Sequence, residues 1–208
     1  MENIEQMASE VQHHPKFYIS SGDMVIQVER TIFKVHSYFL TTQSEVFRDM
    51  VMAAPRTNRH DDGTDSEPLV LSGDSVEGWE LLLNAIYRES PFKPIAFTGK
   101  QSIEALRITH KYCMQPAEDD LMTKIKEGTG TAGFLDLMVA SRIVDSEVLY
   151  NMALQGLIDS EPKPTLEEAK MIGMEAYHAI MNQSWTMKKC RSCKQSGNFR
   201  CGYCNSYQ

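Results

Sequence analysis

The stretch from Ser21 to Met50, SGDMVIQVERTIFKVHSYFLTTQSEVFRDM, constrains the fold most, because its apolar spacing changes from strand-like to helical within one short run. Met24, Val25, Ile26 and Val28 make a first β-rich segment, and Glu29-Arg30 interrupts it. Thr31 to Val35 then resumes the pattern with Phe33 and Val35 two apart on one face, which predicts a hairpin. From His36 onward Phe39, Leu40, Val46, Phe47 and Met50 follow helical spacing, with Ser44 placed to cap a second short helix.

Further along, Ala53 to Ser66 is polar, contains Pro and Gly and has no apolar period, so it reads as a loop. Asp74 with Glu77 three residues on is a helix-start arrangement. Two prolines between Arg88 and Thr98 stop that helix, and Ser102 restarts one that runs to Met114. On it Ile103, Leu106, His110 and Cys113 form a stripe, with His110 expected as a satisfied core histidine, Cys113 as a small buried hydrophobe and Pro116 as the stop. Leu121, Met122 and Ile125 suggest one more short helix.

Glycines then interrupt the pattern: Gly128, Gly130 and Gly133 match G-x-G-x-x-G, but LMTKIKE before them is charged and helical where a dinucleotide site needs a buried strand. A hinge between two packed halves is the expectation. Helical patterns follow at Phe134 to Val144, Ser146 to Ile158, and Thr165 to about Ser184. The last opens with a Thr165-x-x-Glu168 capping box after Pro162 and Pro164, and Ala169, Ile172, Gly173, Ala176 and Ile180 form its stripe. Met171, Met174 and Met181 are expected as core or interface filler.

The order Gly22-Asp23-Met24-Val25, Phe33-Lys34-Val35-His36, Phe39-Leu40 and Ser44 to Met50 resembles the opening of a BTB/POZ domain. The resemblance continues through Glu67 to Leu71, a strand, and Val76 to Tyr87, where Trp79, Leu82, Leu83, Ile86 and Tyr87 sit in the place of the family's central helix, and reaches Ser102 to Met114. It implies an α+β fold, a small three-stranded sheet packed with helices, followed by an all-α extension similar to the helical tail of many fungal BTB proteins. The expected organisation is a flexible N-terminus over 1–16, the BTB/POZ domain over 17–127, the helical extension over 128–186 and a cysteine-bearing tail over 187–208.

In that tail Cys190-x-x-Cys193 and Cys201-x-x-Cys204 are separated by seven residues, with Gly197-Asn198 as a turn between them. Four thiolates in two such pairs suit one structural zinc ion; free reduced thiols and a redox dithiol are the alternatives. The spacing resembles the first half of a MYND-type zinc finger, and one four-cysteine site is the expectation. His13-His14 before Pro15 could also bind metal, although adjacent side chains do not converge on an ion by themselves, and a solvated terminus is the plainer reading.

The chain of 208 residues is 42% apolar, enough for a real core, and carries a formal charge of −7. Ala176 to Gln208 holds five basic residues and no acid, which leaves −12 on the preceding 175. Lys188, Lys189, Arg191, Lys194 and Arg200 would offset the net negative charge of a zinc held by four thiolates. With Trp185, Phe199 and Tyr203 nearby they could instead grip nucleic acid, a poor field on so acidic a chain. No membrane span or signal peptide is visible, and an intracellular protein of cytoplasm or nucleus is expected.

No carboxylate pair, activated serine, Cys/His nucleophile pair or open metal site stands out, so a non-enzymatic interaction module is expected. The resemblance implies homodimerisation through Asp23, Val25, Phe33, His36, Phe39 and Leu40, and recruitment of a further protein. Two departures bear on the partner. The position after the histidine, basic in many transcription-factor BTB dimers, is Ser37, and MAAPRTNRHDDGTD lacks a clear apolar-x-acid motif of the kind cullin adaptors carry. An adaptor of a cullin-type ubiquitin ligase and a zinc-containing DNA-binding regulator remain the alternatives.

Overall fold

The computed structural model describes residues 11–53, 63–88 and 96–186. Two units divide between Met122 and Thr123. In the first, the expected hairpin is present: β2 (Met24–Val28) pairs antiparallel with β3 (Thr31–Val35), Val28 opposite Thr31. Glu29 turns the chain with φ 53°, in the left-handed region, and its carbonyl accepts from Gln27 Nε2 at 3.0 Å. The short β4 (Leu69–Val70) lies parallel to β2.

The sheet has a fourth strand that the sequence pattern did not reveal. Gln12–Tyr18 forms β1, parallel to β3, giving the order β1-β3-β2-β4. Part of the segment expected to be a flexible terminus is therefore ordered edge strand. Its run QHHPKFY buries only His14 and Phe17 and contains a proline, so no apolar alternation marked it.

Helix α1 (Ser37–Gln43) buries Leu40 and α2 (Glu45–Ala53) buries Phe47. Ser44 joins them as expected: its Oγ accepts from the Phe47 N–H at 3.1 Å and donates to the Tyr112 carbonyl at 2.5 Å. Helix α3 (Val76–Ile86) sets Trp79 at the centre, fully enclosed, with Phe47 edge-on at 5.9 Å and Tyr112 at 5.7 Å. Burying each such ring contributes about 2–3 kcal/mol.

The start of α3 differs from the expected one. Ser75, not Asp74, is the N-cap, accepting the Gly78 N–H at 3.1 Å. Asp74 turns inward and accepts from Trp79 Nε1 (2.8 Å), Tyr112 Oη (2.6 Å) and Lys111 Nζ (2.5 Å). A buried carboxylate with three donors is satisfied in a way that a surface cap would not need.

Helix α4 (Gly99–Lys111) begins three residues before Ser102, with a Thr98/Gln101 capping box. Its buried face runs through Ile103, Ala105, Leu106, Ile108, Thr109 and Tyr112. That face leaves His110 exposed, with Nδ1 3.1 Å from Glu118 Oε2, and leaves Cys113 exposed at φ 51°. Both residues were expected inside. Pro116 lies in the first turn of α5 (Gln115–Lys126), where a missing N–H costs nothing.

In the second unit α6 (Gly130–Ile143) packs against α7 (Glu147–Asp159), capped by Ser146. The glycine motif starts a helix after a helix, so the β-α context of a nucleotide site is missing. Its glycines serve contact instead: a Cβ on Gly133 would lie 2.4 Å from the Gly128 carbonyl carbon. The final pattern, expected as one helix, is two: α8 (Leu166–Ile172) with the expected Thr165/Glu168 box, and α9 (Met174–Thr186). Gly173 at φ 84° separates them, and Arg142 of α6 donates to the Met171 and Ile172 carbonyls that the break leaves unpaired. Ala169, Ile172, Ala176 and Ile180 are buried as expected, whereas Met171 and Met174 face solvent. Among the described residues no helix is long and apolar enough to cross a membrane.

Candidate interaction face

The hairpin brings Asp23, at the mouth of β2, against the residue that opens α1. Asp23 Oδ1 accepts the Ser37 N–H at 2.6 Å and Oδ2 accepts the Ser37 hydroxyl at 2.8 Å. His36, the N-cap, makes no side-chain cap bond, so Asp23 caps α1 from across the sheet. Partial burial works to raise the Asp23 pKa, but the Ser37 backbone and hydroxyl donors outweigh it and hold the carboxyl below its ordinary value. The neutral Ser37 thus occupies both oxygens of this aspartate.

Beside it His36 is fixed at three points. Its N–H donates to Tyr87 Oη at 2.8 Å, its Nδ1 lies 3.0 Å from the same oxygen, and its Nε2 lies 3.1 Å from Ser21 Oγ. His36 Nδ1 and Tyr87 Oη thus share one hydrogen bond whose direction follows the imidazole tautomer. Burial, chiefly, raises the Tyr87 pKa. Phe39 then stacks edge-on to Tyr87 (5.2 Å) and to Tyr38 (5.7 Å).

Of the residues the sequence pointed to, Asp23, His36 and Phe39 come together at this surface. Val25, Phe33 and Leu40 do not reach it: they are at most 2% exposed, enclosed by the chain's own core, and shape the face from behind. What the sequence reading missed is Tyr38, 68% exposed, and the run Met50, Val51 and Met52 on neighbouring α2, at 40%, 45% and 75%. A signal was available, since EVFRDMVMA carries more large apolar side chains than one short helix can bury on one side.

The other candidates are placed as follows. His13 stacks on Tyr18 at 3.8 Å while His14 is buried, so the two do not face one ion. Among the described residues no group of three or more His, Cys, Asp or Glu is arranged to hold a metal. Cys190, Cys193, Cys201 and Cys204 lie outside the described residues. Every buried side-chain polar atom among the described residues has a hydrogen-bond partner.

The first unit thus combines a small four-stranded mixed sheet with helices and an exposed aromatic and methionine surface. A family model for the BTB/POZ domain matches residues 18–129, more than half of the chain, and the chain belongs to the BTB/POZ family. BTB domains are protein–protein interaction modules, and they commonly self-associate and bind partners such as cullins. No match was found among curated proteins.

Proposed function

We propose that this chain is a non-enzymatic scaffold that forms a homodimer through its BTB domain and recruits a further protein. The observation that carries this reading is the exposure of Tyr38, Phe39, Met50, Val51 and Met52 on two short adjoining helices, each of which buries a single residue in its own chain. Stable interfaces bury about 1,000 Å² or more, with an apolar centre and a polar rim. Five large side chains supply such a centre, and Thr42, exposed on α1, with Asp23, bonded to Ser37 at the start of α1, offers polar groups to a rim. Methionines suit a surface that adapts to more than one partner.

The experiment is sedimentation velocity on the full chain and on the Tyr38→Lys/Met52→Asp double variant. A dimer that becomes a folded monomer in the variant supports this face; an unchanged dimer moves the contact elsewhere.

The helical unit after the BTB domain supports the likeness to fungal BTB proteins with a helical extension, and in the tail Cys190, Cys193, Cys201 and Cys204 would hold one structural zinc. Four thiolates match zinc in softness and number. Zinc released from purified protein by a thiol-modifying reagent, at one equivalent per chain, tests it; release below a tenth of an equivalent rejects it. A cullin is a partner class that BTB domains bind, and a pull-down with a cullin N-terminal domain tests whether this chain is an adaptor.

A further inference from the structure

The sheet buries side chains on both of its faces. Met24, Ile26, Val28, Phe33 and Val35 join the main apolar cluster on one side. Residues one step along a strand point the other way. There the register sets Val25 opposite Lys34 and Gln27 opposite Ile32, and joins His13 to Ile32 and Tyr18 to Lys34. On this outer face Val25 is only 2% exposed and Ile32 only 6%. An apolar strip turned away from the main cluster has its own cover.

A turn over residues 63–67 lies against β2. The Gly63 carbonyl accepts the Val25 N–H at 2.8 Å, and the Gly63 and Thr64 amides donate to the Glu67 carbonyl at 2.8 and 3.1 Å. At the tip of the turn Asp65 reaches past β2 to the two strands beyond it. Its Oδ1 accepts from Tyr18 Oη of β1 at 2.5 Å, and its Oδ2 accepts from Lys34 Nζ of β3 at 2.6 Å. His13 lies flat on the Tyr18 ring, centroids 3.8 Å apart, and the Lys34 ammonium stands 5.7 Å from that ring. The Lys34 side chain is 18% exposed and that of Asp65 57%, so the lysine stem is covered while the carboxylate stays in reach of water. The Lys34 and Tyr18 bonds hold the Asp65 carboxyl below its ordinary pKa, and the bond to Asp65 raises the Tyr18 phenol and the Lys34 ammonium above theirs. Each group is thereby kept in the form the contact needs, one anion with two donors.

We propose that Asp65 is a clasp that straps residues 63–67 across the outer face of the sheet and closes that face over Val25 and Ile32. The backbone bond at Val25 ties the turn to β2 alone, whereas the carboxylate ties it to β3 and β1 together. Without the carboxylate the turn loses its hold on the far strands, and Val25 and Ile32 become the apolar floor of a shallow groove bordered by Lys34 and Tyr18. The device is separate from the surface of Tyr38, Phe39 and Met50 to Met52 and does not depend on dimerisation.

Residue-resolved amide exchange on the full chain tests it in the wild type, in Asp65→Ala and in Lys34→Met. The Val25 amide, whose partner is in the turn, reports on the strap: its protection should fall about tenfold or more in Asp65→Ala, and by less in Lys34→Met, while amides of α3 keep theirs. The double variant should lose no more than Asp65→Ala alone, because the carboxylate is the shared partner. In Asp65→Ala the Val25 and Ile32 methyls should also become accessible to a neutral soluble paramagnetic agent. Val25 protection unchanged in Asp65→Ala, or methyls as shielded there as in the wild type, overturns the proposal. A loss of protection that extends equally to α3 overturns it as well, since Asp65 would then support the fold at large and not the strap.

Discussion

Asp74 takes three donors at once, from Trp79, Tyr112 and Lys111, and two of those side chains are themselves buried. Its own burial and the acid's hydrogen bond push the Tyr112 phenol well above the ordinary tyrosine range, so that hydroxyl stays a donor. Asp74→Ala removes the common acceptor and should cost about 3–5 kcal/mol in urea unfolding. A loss below about 1 kcal/mol would mean that water replaces the carboxylate without penalty. Asp136 in α6 is the opposite case, since burial raises its pKa. A carboxyl raised above its unfolded value disfavours folding while charged, so its contribution improves as pH falls and is worst at neutral pH. Asp136→Asn should therefore raise the Tm at neutral pH by about 1–3 °C, a modest shift because the group is only partly buried, and the gain should shrink in acid. A gain that persists unchanged in acid would contradict the assignment.

Among the elements, the hairpin and the helix starts were legible because their signals are local. A switch of apolar period places β2, β3, α1 and α2, and Ser44 and Thr165 cap where side-chain chemistry says they should. Thr98-x-x-Gln101 was a readable box that the proline-rich stretch before it obscured. Strand β1 and the break at Gly173 were not legible, because each depends on side-chain-to-backbone bonds that no apolar pattern marks: within β1 the His14 ring accepts the Lys16 and Phe17 amides, and at the break Arg142 of α6 satisfies the carbonyls. The stripe on α4 was misread in part: Ile103 and Leu106 are buried as expected, but Ala105, Ile108 and Tyr112 continue the buried face, and packing against α3 decides between the two stripes. Glu29 at φ 53° pays a backbone penalty in the hairpin turn. Glu29→Gly should stabilise by about 0.5–1 kcal/mol in thermal unfolding; a loss would mean that the glutamate side chain contributes more than the turn costs. Gly173→Ala forces a Cβ into the left-handed region within 3.4 Å of the Arg142 guanidinium, and should cost about 1–2 kcal/mol. An unchanged midpoint would show that α8 and α9 tolerate fusion into one helix.

Taken as a whole molecule, the chain is a BTB domain followed by a helical unit. The family was readable from ordered blocks of residues; of the residues those blocks pointed to, Asp23, His36 and Phe39 meet at the surface, while Val25, Phe33 and Leu40 are buried in the chain's own fold. Burial is a property of the assembled fold, which is why an apolar residue in a strand or helix cannot be assigned to core or interface from its position alone. Multi-angle light scattering on the eluting full chain tests the central claim most directly. A particle of twice the single-chain mass that falls to one chain with Tyr38→Lys/Met52→Asp is the predicted result. A wild-type chain that stays at the single-chain mass throughout a concentration series would contradict it.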